Sequence, residues 1–259
     1  LTHKARKRFG QNFLHDPGVI RHIIQSIAPQ PGQRIVEIGP GQGAITKQLL
    51  QITGELDAVE LDRDLLEPLA RACGALGELH IHSADALKFD FCQLVAPDQR
   101  LRVVGNLPYN ISTPLLFHLL EQSACIEDMH FMLQKEVVER MAAEPGCKAY
   151  GRLSVMLQVA CEIIPLFDIG PGAFKPAPKV DSAFVRLQPY RQPLVQIDDR
   201  ATFAQLVTQA FSQRRKTLRN NLRDLVSDKT MKELGIDPGL RAERLGLEQF
   251  AALANTVKP

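Results

Sequence analysis

From Val19 to Ala28 the apolar residues recur at the spacing of one helix face, and the run stops at Pro29. A different pattern follows. Arg34-Ile35-Val36-Glu37-Ile38 is short and mostly apolar, as in a strand buried on both faces. It runs into Gly39-Pro40-Gly41-Gln42-Gly43 and a helix from about Ala44. A second strand, Leu56 to Leu61, precedes a helical stretch that ends near Cys73-Gly74, and Leu79 to His82 reads as a short third strand. Leu101 to Gly105 makes a fourth, followed by Asn106-Leu107-Pro108-Tyr109 and a helix through Leu120; Asp128 to Leu133 makes a fifth. Strands alternating with helices predict βαβ units and an α/β fold with a doubly wound, mainly parallel sheet.

Two later apolar stretches, Glu162 to Ile169 and Ala183 to Leu187, have little helix between them and read as a terminal hairpin, antiparallel at the sheet edge. Beyond Pro193 the pattern is helical to the end, with Pro238 and several glycines as breaks. The expected organisation is an α/β domain over 1–192 and a small all-helical domain over 193–259.

Composition narrows the picture modestly. With 45% hydrophobic and 23% charged residues among 259, the chain can build a core and is not a wholly disordered tail. Formal net charge is only +2, but its distribution is informative. Lys4, Arg6, Lys7 and Arg8 form one basic cluster; Arg214, Arg215, Lys216, Arg219 and Arg223 form another, with no acid between Arg214 and Arg223. Two such patches on a nearly neutral protein point to a polyanion footprint, against the plainer alternative of solvated faces. The five cysteines are scattered, with no pair at metal-ligand or redox spacing, which predicts no metal site and a reducing, cytoplasmic setting. The basic N-terminus leads into Gly10-Gln11-Asn12 instead of the apolar core of a signal peptide. No apolar run approaches the ~18 residues of a membrane span, so the protein is expected to be soluble.

In a doubly wound sheet, ligands bind beyond the carboxyl ends of the strands, and the chemically suggestive residues cluster there. Gly39 and Gly41 permit a tight turn and close backbone approach to a ligand. Glu60 lies 21 residues beyond Gly39, the spacing of an acid that takes ribose hydroxyls. Because Gly39, Gly41 and Ala44 also satisfy the looser dinucleotide fingerprint, a nicotinamide oxidoreductase remains open at this point. Glu37 argues against it, since its charge would repel a pyrophosphate but suit an ammonium. Asp85, after the third strand, is placed to accept a hydrogen bond from an adenine amine, although it could simply cap a helix.

Asn106-Leu107-Pro108-Tyr109 follows the fourth strand into the same crevice. It suits attack by a weak aromatic amine on an activated methyl group. The Asn106 side-chain oxygen and the carbonyl of Leu107 or Pro108 could hold the amine's two hydrogens and aim its lone pair. Pro108 stiffens the loop, and Tyr109 offers a stacking face worth ~1–3 kcal/mol per base. A second aromatic, Phe174, opens the proline-rich run Phe174 to Val180; it could close the other face of a base, with Lys175 and Lys179 on phosphates. A hydrophobic plug is the alternative for Phe174, and an ordinary turn the alternative for the tetrapeptide.

These segments together resemble the KsgA family, the ribosomal small-subunit RNA adenine dimethyltransferases. The match runs through Arg6 to Leu14, Val36 to Gly41, Glu60-Leu61-Asp62, Asn106 to Ser112, Phe174 to Ser182 and Arg214 to Asn220. Ala177 departs from the more proline-rich loop of some relatives, which leaves Phe174 in place. The resemblance implies a Rossmann-like class I methyltransferase fold. It also implies an S-adenosyl-L-methionine site at Asn12, Leu14, Glu37, Gly39, Gly41, Glu60, Asp85 and Asn106. Tyr109 and Phe174 would sandwich a flipped adenine over Asn106 to Tyr109. The implied reaction is N6,N6-dimethylation of two adjacent adenines in a hairpin loop near the 3′ end of 16S rRNA, within a 30S subunit or its precursor. Single-stranded loops are where bases are extracted most easily. Arg6, Lys7, Arg8, Lys175, Lys179, Arg214, Arg215, Lys216, Arg219 and Arg223 are the candidate RNA contacts. In the tail, Arg215, Arg219 and Arg223 at i, i+4 and i+8 lie beside Leu218, Leu222 and Leu225, so one helix face could dock while its neighbour meets phosphate, or part of it could pair with acids such as Asp224. A monomer is expected, with no membrane and no metal. The competing readings are a binding-only assembly or transcription factor on the same fold and a 23S rRNA adenine methyltransferase.

Overall fold

The structure, a computed structural model, describes residues 11–257. In chain order the strands are β1 Phe13–Leu14, β2 Ile35–Ile38, β3 Glu55–Glu60, β4 Glu78–Ser83, β5 Leu101–Asn106, β6 Ile126–Gln134, β7 Cys161–Ile169, β8 Phe174–Lys175 and β9 Ser182–Pro189. The helices are α1 Pro17–Ile27, α2 Thr46–Thr53, α3 Arg63–Cys73, α4 Ser112–Glu121, α5 Lys135–Met141, α6 Arg152–Gln158, α7 Arg200–Ala210, α8 Leu218–Asn221, α9 Asp228–Glu233 and α10 Leu247–Thr256.

Seven strands form one sheet in the order β4-β3-β2-β5-β6-β9-β7. The pairs β3/β4, β2/β3, β2/β5 and β5/β6 are parallel, whereas β9 runs antiparallel to β6. The strand order turns back between β2 and β5, which opens a crevice at their carboxyl ends. The late hairpin strands do occupy this side of the sheet, with β7 at the edge and β9 between it and β6. This is the doubly wound, Rossmann-like architecture of class I methyltransferases. A separate two-stranded pairing, β1 antiparallel to β8, has no periodic signature because each strand is two residues long.

Local chemistry sets the helix ends. Asp16 caps α1 by accepting from the backbone N–H groups of Gly18 and Val19 at 2.8 and 2.9 Å, with Pro17 in the first turn. Asp62 caps α3 in the same way.

The chain divides into two compact units. The first runs to Val138 and takes in Ile164–Pro189. Its core joins Ile23 and Ile27 of α1, Leu49 and Leu50 of α2, and Leu69 of α3 to Ile35, Leu56 and Val104 of the sheet. The second unit contains not only the chain from Tyr190 onward but also Glu139–Ile163, an excursion that a single boundary at 192 leaves on the wrong side. The reason is packing. Tyr150 and Val155 are buried with Phe203, Leu206, Leu218 and Phe250, and the Tyr150 hydroxyl donates to the Leu245 carbonyl at 3.0 Å.

The cysteines depart from expectation. Cys92 and Cys125, 33 residues apart, form a disulfide. One precedes β5 and the other immediately precedes β6, adjacent strands whose register pairs Leu101 with Ile126. Sheet pairing brings them together where sequence spacing gives no sign of it.

Candidate active site

A cavity of about 340 Å³ lies in the first unit at the carboxyl ends of β2, β3 and β5. After β2, the Gly39 N–H donates to the Val59 carbonyl at 2.9 Å, and the chain then turns away through glycines of positive φ. At Gly41 (φ +57°) a Cβ would stand 3.1 Å from the Phe13 ring. Only a glycine lets the turn and the Phe13 wall close around the cavity this tightly.

Three acids line the cavity. Glu60 ends β3 almost fully buried, its carboxylate held by the backbone N–H groups of Asp62 (2.8 Å) and Gly41 (3.3 Å). Burial raises its pKa, opposed by those two N–H groups and reinforced by the charge of Asp62. Glu37 is 2% exposed and its Oε2 has no hydrogen-bond partner among the described residues. Burial pushes its carboxyl up to about 7, the Thr46 hydroxyl pulling the other way and Glu60 adding to the rise. Asp85 lines the cavity and caps its own turn by accepting from the Leu87 N–H at 3.0 Å.

The fourth wall is the Asn106–Tyr109 loop. Asn106 is the last residue of β5, and its Nδ2 donates to the Asn12 carbonyl at 2.9 Å. With the amide nitrogen engaged there, Oδ1 is the atom left to accept. The Leu107 N–H donates to Met132 of β6 at 3.2 Å, and the Pro108 carbonyl is taken by the Ile111 N–H at 3.1 Å. Of the two candidate carbonyls, that of Leu107 is therefore the one without a partner among the described residues. The half-buried Tyr109 ring lines the cavity, its hydroxyl 2.7 Å from Ser182 Oγ. Burial raises the Tyr109 pKa, with Ser182 opposing.

The fold thus gathers Asn12, Leu14, Glu37, Gly39, Gly41, Glu60, Asp85 and Asn106–Tyr109 around one space. It does not bring Phe174 there. Phe174 is 3% exposed, pairs with Leu14 across β1/β8 and belongs to the core. Its burial matches the hydrophobic-plug alternative. Its neighbours Lys175 and Lys179 are exposed. Lining residues without a candidate role in the sequence include Gln11, Phe13 and Leu61. Leu61 carried a signal, being a large apolar side chain directly after the ribose-type acid; it is 51% exposed at the cavity.

Of the basic candidates, Arg6, Lys7 and Arg8 lie outside the described residues. The tail does not form the continuous helix its spacing predicts. Helix α8 is a single turn, and residues 212–216 are bends and turns. Leu218 and Leu222 are buried as the apolar row requires. Arg214 pairs with Glu243 at 3.3 Å, Arg219 with Asp228 at 2.6 Å and Arg223 with Asp224 at 3.5 Å, so internal pairing accounts for part of the patch. Arg215 and Lys216 are exposed and form no ion pair among the described residues.

A family model described as ribosomal RNA adenine dimethylase matches residues 2–258. The chain belongs to that family. A relative, "Ribosomal RNA small subunit methyltransferase A" of Marinomonas sp. (strain MWYL1), is 56% identical over 98% of this chain and 96% of its own length. The protein of the same name from Pseudomonas aeruginosa is 56% identical over 98% and 94%. Two solved structures share the fold at 24% identity. A dimethyladenosine transferase from Plasmodium falciparum superposes with a TM-score of 0.80, covering 93% of this chain and 95% of that one. The 23S rRNA methyltransferase ErmE superposes at 0.74, covering 95% and 99%.

Proposed function

We propose that this chain uses S-adenosyl-L-methionine to dimethylate, at N6, two adjacent adenines in a hairpin loop near the 3′ end of 16S rRNA, acting on a small-subunit precursor during ribosome biogenesis. The carrying observation is the clasped Asn106 amide, which presents Oδ1 at a cavity lined by Glu37 and Glu60. The residues present fit the cofactor. Glu37 Oε2 is a buried carboxylate oxygen with no partner among the described residues, which suits the ammonium of an amino-acid moiety; Glu60 suits ribose hydroxyls, and Asp85 an adenine amine.

When bound, S-adenosyl-L-methionine supplies an electrophilic methyl on a sulfonium. The chain's part is orientation and desolvation. Asn106 Oδ1 and the Leu107 carbonyl accept the two hydrogens of the target amine and draw its lone pair out of conjugation. Tyr109 supports one face of the base. No strong base is needed at the start, because the nitrogen becomes acidic only once alkylated, and its proton then leaves to solvent. The phosphate contacts fall to Arg215 and Lys216, with Lys175 and Lys179 as exposed candidates; such contacts position the enzyme without reading sequence.

The printed names of the relatives support the small subunit over 23S rRNA, and the intact Asn106–Tyr109 loop speaks against a binding-only descendant. The base-holding loop also leaves the oxidoreductase reading without a hydride site. We place the enzyme in the cytoplasm as a monomer. Among the described residues no helix is long and apolar enough to cross a membrane; the Cys92–Cys125 disulfide is the observation that runs against a reducing compartment. The deciding experiment is transfer of labelled methyl from S-adenosyl-L-methionine to undermethylated 30S subunits, with mapping of the modified nucleotides. Label on two adjacent adenines near the 3′ end is the expected result; cofactor binding without label on 16S rRNA would overturn the assignment.

A further inference from the structure

We infer that Ser182 is a positioning residue for the target base, acting through Tyr109; the inference rests on the functional reading above. The run Phe174 to Ser182 was marked by sequence, yet its aromatic lies in the core. What this run delivers to the site is its last residue. Ser182 is 0% exposed and opens β9, where it registers with Gln134 of β6. Its Oγ lies 2.7 Å from the Tyr109 hydroxyl.

The Tyr109 backbone is already pinned. Ile111 N–H bonds to the Pro108 carbonyl at 3.1 Å, and Ser112 Oγ donates to the Tyr109 carbonyl at 3.2 Å. A pinned backbone leaves the side-chain torsions of Tyr109 as the remaining freedom, and the far end of the ring is the best lever on them. A hydroxyl fixed in a sheet ladder holds that end, so the ring presents one face to the cavity before the base arrives. This is preorganisation: ordering done during folding need not be done during binding.

The test combines a structural and a kinetic readout on the full chain. The protein has three tyrosines and no tryptophan, so 3-fluorotyrosine labelling yields three ¹⁹F resonances, and Tyr109→Phe identifies one of them. Ser182→Ala should shift or broaden the Tyr109 resonance and leave the other two in place. It should also slow single-turnover methyl transfer to undermethylated 30S subunits by about 3- to 10-fold, the range expected for one neutral hydrogen bond, with unchanged affinity for S-adenosylhomocysteine. Tyr109→Phe should cost a similar factor, and the double variant no more than either alone. Ser182→Thr, which restores the hydroxyl, should recover part of the loss. An unmoved Tyr109 resonance in Ser182→Ala would overturn the contact whatever the activity. A moved resonance with unchanged transfer, or losses that multiply in the double variant, would overturn the positioning role. Absence of methyl transfer by the unaltered protein would instead count against the functional reading.

Discussion

Glu37→Gln should make the ligand-free protein more stable and the cofactor site worse, and the two effects should separate with pH. Folding raises the Glu37 carboxyl from 4.5 to about 7, because it is buried and lies near the Glu60 charge, with the Thr46 hydroxyl opposing. At about 1.4 kcal/mol per pH unit, this rise amounts to about 3 kcal/mol against the ionised folded state. The folded chain holds that proton more tightly than the unfolded chain. The group's contribution to stability is therefore complete below about pH 4.5 and is lost as pH climbs through about 7. Glutamine has nearly the same shape and never ionises. The variant should match the parent near pH 4.5 and exceed it by up to ~3 kcal/mol at pH 8, or roughly 5–10 °C in melting temperature for a protein of this size. Melting curves without ligand at several pH values measure this. Calorimetry with S-adenosylhomocysteine, which keeps the ammonium, measures the other half. Losing the charge partner should weaken binding by roughly thirtyfold, about 2 kcal/mol, and the parent's affinity should rise with pH until Glu37 is ionised. A variant no more stable at pH 8 than at pH 4.5, relative to the parent, would refute the buried-charge argument. Stabilisation with unchanged S-adenosylhomocysteine affinity would refute the assignment of Glu37 to the ammonium.

Asn106→Ala should lower methyl transfer at least about 100-fold while circular dichroism shows an intact fold, because the amine loses a preorganised acceptor; near-normal turnover would remove Asn106 from the mechanism. Phe174→Ala should destabilise the protein by about 3–5 kcal/mol in urea denaturation, as expected for a buried ring; a loss of turnover with undiminished stability would put the ring back on the base. Arg215→Ala with Lys216→Ala should reduce the salt dependence of 30S binding by a slope of about 1–2 and leave S-adenosylhomocysteine binding unchanged; an unaltered slope would place the phosphate contacts elsewhere.

Much of the first unit was readable from local pattern. The runs around Val36, Ala58 and Val103 alternate with helices, and that periodicity is a property of neighbours in sequence. Strand ends locate a crevice by topology alone, so Glu37, Gly39, Glu60, Asp85 and Asn106 could be named before any coordinate. What periodicity cannot carry is pairing between distant residues. The Asn106 amide is oriented by a carbonyl 94 residues away, and Tyr109 by a hydroxyl 73 residues away. Phe174 is buried in the core on a two-residue strand paired with β1, and a pairing that short has no period to detect. The charges of the tail follow the same rule. The pairing of Arg223 with its neighbour Asp224 was open in the sequence, whereas Arg214 meets Glu243 and Arg219 meets Asp228 only in the fold. Glu139–Ile163 joined the second unit because Tyr150 and Val155 found their apolar partners there. Sequence by itself determined the layers, the crevice and the chemistry at its rim. Tertiary structure decided which side chains reach that rim and which are satisfied elsewhere, because burial and pairing are settled between residues far apart along the chain.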